Sequence, residues 1–228
     1  MKIKVMSAGA VEGPVSELAP EFSRATGHEV ELVFNTVGAL KERFTGGEKT
    51  DVIILSFPVI ETLEKDGRFV AGSRADIGRA SCGVAVRDGM MMPNIATVDS
   101  FKRMLHNAGS IAANDPAHGG SSGIYLEDLL KRMGLYDEVK GKLVLCKTGR
   151  ECALALVRGD AEIGITFTSE FIAVPGTRVV GPLPAEIAYV NGYAGAIPKD
   201  AAMEPARAFL AFLTSPSSKA RFKAFGLE

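Results

Sequence analysis

The stretch KIKVMSAGAVEGPVSELAPEFSRATGHEVELVF, residues 2–34, decides the fold. KIKVMS (2–7) alternates polar and apolar side chains, the period of a strand with one covered face. GPVSELAPEFSRATG (13–27) changes period: Val15, Leu18, Ala19 and Phe22 fall on one helical stripe, and Gly27 supplies the C-terminal cap. Pro20 lies inside that stripe and is expected to kink the helix or to break a weak first turn from a firmer second one. HEVELVF (28–34) returns to strand. A strand, a helix and a strand within about thirty residues form the unit from which parallel sheets are built.

The same grammar continues outward. Thr36 can cap a helix with an apolar face of Val37, Leu40 and Phe44 that stops at Gly46-Gly47. TDVIILS (50–56) is a continuous apolar run, as expected of a strand covered on both faces, and a helix follows over 58–66. A second series starts near residue 80: strand 80–86, helix 98–107, strand 110–114, helix 122–133, strand 142–146, helix 150–160 and strand 161–167. Helices near 203–213 and 216–225 close the chain, with Ser215-Pro216 between them. The expected fold is α/β, with two lobes that are each a mainly parallel sheet flanked by helices. Residues 1–80 plus 194–228 form lobe 1 and 81–193 form lobe 2, with GPLP (181–184) and AIP (196–198) as joints.

Composition narrows the function. The chain has 228 residues, 46% of them hydrophobic and 23% charged, and a net charge of −1. Nothing global attracts nucleic acid or an anionic membrane, and no apolar run is long enough to span a bilayer. KIKVMS follows Met1 at once, without a basic and apolar leader, so the expected location is cytoplasmic as written, or periplasmic if a signal has been removed. Cys82, Cys146 and Cys152 sit in apolar segments and read as buried free thiols. No Cys/His spacing suits zinc, and there is no Walker A pattern, no G-x-G-x-x-G after a strand and no G-x-S-x-G elbow. No metal and no cofactor is expected.

Three strand-to-helix turns carry the candidate chemistry: SAGA (Ser7, Ala8, Gly9, Ala10), NTVGA with Thr36, Val37 and Gly38, and HGGSSG with Gly120, Ser121, Ser122 and Gly123. Each places small residues, hydroxyls and unpaired N–H donors at a helix start, which holds an anion without a lysine or arginine. Ser56 and Thr168, which also follow apolar strands, join the candidate ligand contacts. Arg79 is either a bidentate partner for a ligand carboxylate or half of a surface ion pair. His118 beside the third turn and Glu170 in TFTSE are the titratable candidates should the protein be a catalyst; each also has a plain reading, as a surface histidine and a helix cap.

SAGAVEGPVSELAPEFSRATGHEVELVF, GALKERFTGGEKTDVIILS, SIAANDPAHGGSSGIYLEDLLKRMGL, LVRGDAEIGITFTSEFI and AFLAFLTSPSSKARFKAFGLE together resemble type II periplasmic binding proteins of the molybdate-binding (ModA-like) family. The resemblance implies a ligand cleft between two lobes, a first-loop serine, here Ser7, that helps hold an oxyanion, an ABC permease as partner, and a monomer. Val37 stands where that family carries a hydroxyl before the second-loop glycine, the far-lobe tyrosine is not evident in ITFTSE, and the GGSSG loop is longer. In these respects the chain is more similar to a divergent branch that includes an isomerase of aconitate. Two readings follow. One is a solute-binding protein that clamps a small oxyanion or organic polycarboxylate. The other is a cofactor-independent isomerase of a small polycarboxylate on the same fold, in which His118 and Glu170 move a proton.

Overall fold

Residues 1–228 are described by a computed structural model of the chain. In chain order the elements are β1 (Lys2–Ala8), α1 (Glu12–Thr26), β2 (Glu29–Asn35), α2 (Val37–Thr45), β3 (Val52–Ser56), α3 (Phe57–Lys65), β4 (Ala75–Arg87), α4 (Val98–Asn107), β5 (Ile111–Asn114), α5 (Ser121–Arg132), α6 (Tyr136–Val139), β6 (Leu143–Cys146), α7 (Gly149–Arg158), β7 (Ile163–Phe167), α8 (Thr168–Ile172), β8 (Thr177–Pro182), β9 (Val190–Ala196), α9 (Met203–Leu213) and α10 (Pro216–Ala224). They fall into two compact units. The first holds Met1–Ala80 and Asn191–Glu228, and the second holds Ser81–Val190.

In the first unit β1 pairs in parallel with β2 on one side and β3 on the other, and β9 joins β3 antiparallel. The apolar run expected over 50–56 becomes β3, every residue of which is buried. α1 lays Pro14, Val15, Leu18, Ala19 and Phe22 inward. The Phe22 ring meets Phe209 of α9 edge-on at 5.1 Å and Phe212 at 5.6 Å, which fastens the returning C-terminal helices to the N-terminal one. The second unit repeats the plan. β5 pairs in parallel with β6 and β7, β4 joins β7 antiparallel, and β8 runs antiparallel along β4. Its core includes Ala85, Ala112, Cys146, Cys152, Leu156 and Phe171, so the cysteines are buried free thiols. The first sheet is mainly parallel, as expected, whereas the second divides evenly between parallel pairings (β5 with β6 and β7) and antiparallel ones (β4 with β7 and β8).

Three expectations need correction. First, α1 is not broken at Pro20: it runs unbroken from Glu12 to Thr26 and ends on Gly27 in the left-handed region (φ 74°). Pro20 and Ser16, whose carbonyl loses its partner, are both exposed, so water satisfies the carbonyl while the opposite face stays packed. Second, the strand expected at 80–86 begins at Ala75 and carries the chain from the first unit into the second. Third, the segments expected as joints close strands instead: Gly181-Pro182 ends β8, and Ala196 ends β9 just before Pro198, which bridges to Phe69. The chain recrosses at Val190/Asn191. β9 (VNGYAGA) has little strand propensity of its own. It is held by pairing with β3, and a Cβ at Gly192 would stand 2.3 Å from the Phe57 ring.

Because the Pro20 ring only costs α1 a hydrogen bond on its wet face, Pro20→Ala is expected to raise stability by about 1–3 kcal/mol. Urea denaturation checks this. A lower midpoint would show that the ring makes contacts the helix needs.

Candidate functional site

The carboxyl ends of the first unit's parallel strands carry its hydroxyls. Ser7 is the penultimate residue of β1, level with Phe34 of β2 and Ile54 of β3. It is fully buried, and its hydroxyl has only a long 3.4 Å contact, to the Ala8 carbonyl. Gly9, Ala10 and Val11 then make a 3-10 turn that leads into α1. Thr36 follows β2 and caps α2, its Oγ1 accepting from the Ala39 N–H at 3.2 Å, with Val37 and Gly38 as the first helical residues. Ser56 ends β3 and precedes α3, yet its side chain makes no capping hydrogen bond. On β9, Tyr193 is the register partner of Ser56 and is buried, its hydroxyl accepting from Asn191 Nδ2 at 3.3 Å. Four adjacent strands thus bring Thr36, Ser7, Ser56 and Tyr193 to one edge, beside helix starts whose N–H groups carry partial positive charge.

Arg79 lies on β4, exposed. Its N–H donates to the Glu228 carbonyl at 2.7 Å, and its guanidinium stands 5.3 Å from the centre of the Phe57 ring. Phe57 follows Ser56 directly, so this cation is held on an aromatic face beside the same strand end. The expected surface ion pair is not formed; the nearby ring offers a partner that sequence spacing could not reveal.

The second unit assembles a different cluster. Ser122 lies in the first turn of α5, and its Oγ is 2.9 Å from Oγ1 of Thr166 on β7. Thr166 donates to Oε2 of Glu170 at 2.5 Å. All three are buried. Glu170 sits in α8, just after Thr168, which is itself buried at the end of β7. Its carboxylate rests on the start of α7: a Cβ at Gly149 would stand 1.9 Å from Oε2, so the first residue of that helix has no room for a side chain. A carboxylate against a helix N-terminus is a favourable pairing of charge and dipole. Its field reaches two thiols. Burial, with the Glu170 charge added to it, pushes Cys82 up to about 12. Cys152 is raised by burial first, then by its hydrogen bond with Cys146 and by nearby charge that includes Glu170. Cys152 in turn donates to Asn114 Oδ1 at 3.4 Å.

The GGSSG loop opens α5. Gly120 precedes the helix, Ser121 is its first residue and hydrogen-bonds Tyr189, and Gly123 packs on the Asn114 carbonyl. His118 closes the 3-10 turn Pro116–His118. Its Nδ1 lies 3.0 Å from Asp115 Oδ2, and its side chain is 44% exposed. Thr166, Asn114, Asn191 and Tyr193 were not singled out by sequence reasoning. Thr166 looks like an ordinary strand residue, and the signal that finds it is its carboxylate neighbour four residues on. No group of three or more His, Cys, Asp or Glu side chains is placed to hold a metal ion, and no helix is long and apolar enough to cross a membrane.

The family model for bacterial extracellular solute-binding proteins matches residues 3–228. Aconitate isomerase of a Pseudomonas species is 31% identical to the chain over 233 residues, covering 99% of this chain and 87% of that protein. The molybdate-binding protein ModA of Escherichia coli K12 is 26% identical over 228 residues, covering 99% and 88%. Among solved structures, the periplasmic molybdate-binding protein of Azotobacter vinelandii superposes with a TM-score of 0.80 at 20% identity over 99% of this chain and 98% of that one, which shows a shared fold.

Two outcomes test this geometry. Gly149→Ala puts a methyl into the Glu170 carboxylate and is expected to destabilise by about 1–3 kcal/mol, read by thermal or urea unfolding; an unchanged midpoint would move Glu170 off α7. Cys82 ionises near 12 when folded against an ordinary value of 9.0, so its contribution to stability is full below 9.0 and is lost as pH rises toward 12. It should therefore resist alkylation in the folded protein at neutral pH and react once the protein is unfolded. Rapid labelling of native Cys82 would contradict its burial.

Proposed function

Because this chain belongs to the bacterial extracellular solute-binding protein family, we propose that it binds a small anion, a carboxylate or related oxyanion, at the strand ends of the first unit. The observation that carries this reading is the row of Ser7, Thr36 and Ser56 at the ends of three neighbouring parallel strands, each beside the start of a helix or 3-10 turn. Hydroxyls and backbone N–H groups there hold negative charge in place of water, and glycine and alanine in SAGA leave space for the ligand to approach the backbone. Ser7 is central to it: a buried hydroxyl with one long internal contact has donor capacity to give a ligand. An organic polycarboxylate is favoured over molybdate. Val37 supplies no hydroxyl at the second turn, and the relative named aconitate isomerase shares more identity with this chain than ModA does. As a binding protein of a transporter, it would act outside the inner membrane and hand its ligand to a permease, working as a monomer.

The second reading, isomerisation of a small polycarboxylate, is supported by the same relative and by Glu170. Shifting an allylic double bond needs one group to remove a proton and one to return it. Glu170 is a buried carboxylate wired to two hydroxyls, and His118 is an imidazole held by Asp115. These two residues are the proposed proton carriers.

Titration calorimetry with cis-aconitate and molybdate, with NMR following the cis to trans conversion of aconitate, separates the readings. Binding without conversion supports the receptor, and sustained turnover supports the isomerase. Ser7→Ala is expected to weaken the bound anion by about 1–3 kcal/mol. Unchanged affinity in that variant would remove the first unit's strand ends from the site.

A further inference from the structure

Two of the buried thiols share one corner of the second unit. Cys146 is the last residue of β6, the edge strand of its sheet, and Cys152 lies in the first turn of α7. Between them KTGRE folds back as a turn and a capped helix start, Thr148 Oγ1 accepting from the Glu151 N–H at 3.2 Å. The two thiols are hydrogen-bonded to each other. Both also meet Asn114 of β5: Cys146 is its register partner, and its Oδ1 accepts from the Cys152 thiol at 3.4 Å. Their surroundings are unequal. Cys146 keeps 7% of its surface open and Cys152 none. The hydrogen bond with Cys152 is the largest influence on Cys146 and lowers it, whereas burial raises Cys152. One sulfur is therefore reachable and easier to ionise, and the thiolate is the form that attacks. The other is enclosed and keeps its proton.

We propose that Cys146 and Cys152 are a modification site for peroxide, which closes them into a disulfide between β6 and α7. The Cys146 thiolate attacks one oxygen of hydrogen peroxide; the O–O bond breaks, hydroxide leaves, and Cys146 becomes a sulfenic acid. The Cys152 sulfur then attacks the Cys146 sulfur. The S–S bond forms, the S–O bond breaks, and the sulfenic hydroxyl leaves as water with the proton of Cys152. Peroxide is reduced and the two thiols are oxidised, so no other reagent is needed. The oxidant has to reach Cys146 alone, and the partner that completes the bond is already in contact with it. Disulfides persist outside the reducing cytoplasm, and the family to which this chain belongs is one of extracellular proteins. Cys82 serves as the contrast: it is buried on β4, and no thiol is hydrogen-bonded to it. The site stands whatever ligand the protein takes.

The sequence supplies the readout. Lys147 and Arg150 lie between the two cysteines, so trypsin separates LVLCK (143–147) from ECALALVR (151–158) unless a disulfide joins them. The intact chain is first reduced, then treated with hydrogen peroxide while folded; its remaining thiols are alkylated, and the digest is analysed by mass spectrometry without reductant. The two peptides are expected as one linked species that dithiothreitol parts, while ASCGVAVR (80–87) carries Cys82 alkylated. In Cys152→Ala the resolving thiol is gone, and dimedone is expected to capture a sulfenic acid on Cys146; Cys146→Ala should leave Cys152 uncaptured. Peptides that separate without reductant after peroxide treatment overturn the site. So does linkage of Cys82 to either cysteine in equal amount, or capture of Cys152 in Cys146→Ala as fast as that of Cys146 in Cys152→Ala. The first readout uses the unaltered chain and decides the matter even where a variant fails to fold.

Discussion

A parallel strand that feeds a helix leaves two things at its carboxyl end: the last side chains of the strand and the unpaired N–H groups of the helix's first turn. The rest of this structure depends on that pairing. β1, β2 and β3 run side by side in one direction, so their ends form one edge, and each is followed at once by a helix or a 3-10 turn. N–H groups of the turn and the helix starts collect there. Thr36 meets one by capping α2, whereas Ser7 and Ser56 make no such bond to the turn or helix that follows them. Buried hydroxyls beside helix starts are what the proposed anion site is built from.

The second unit provides for a helix start differently. At the start of α7 an acceptor is already present, the Glu170 carboxylate, and the chain makes room for it by having no side chain at Gly149. That carboxylate orders what surrounds it. It turns the Thr166 hydroxyl toward itself and through it turns Ser122, and its charge adds to burial in keeping Cys82 protonated. The strand ends of the second unit thus hold a buried carboxylate toward which the neighbouring hydroxyls are directed.

The sequence shows the first of these edges more readily than the second. Elements with a strong period were legible: α1 from Val15, Leu18, Ala19 and Phe22, α2 from its Thr36 cap and Gly46 stop, and β3 from an unbroken apolar run. α8, β8 and β9 were not, because what makes β9 a strand is its pairing with β3 and the fit of Gly192 against Phe57, and short-range pattern records neither. The uninterrupted α1 shows the same limit from the other side. Proline's local cost is real, but packing by the opposite face outweighs it. Among the candidate contacts, the small-residue turns announce themselves by composition. Thr166 does not, since its role exists only once β7, α5 and α8 bring its hydroxyl between Ser122 and Glu170.

This difference in legibility has a chemical root. Donors at helix starts come from the backbone, so any sequence that places a strand before a small-residue turn advertises them, and the identity of the side chains matters little. Acceptor character comes from one ionisable side chain and from the direction in which neighbouring hydroxyls are forced to point. Ser122 beside glycines at a helix start carries the composition of an anion donor, and its proton is nevertheless directed to Thr166. The type of residue states how many protons a group owns; only the partner on its far side states where they go. For this chain the far-side partner is a carboxylate four residues beyond Thr166, and it makes GGSSG, the most anion-like motif in the sequence, a loop whose hydroxyls are turned away from the part that its composition suggests.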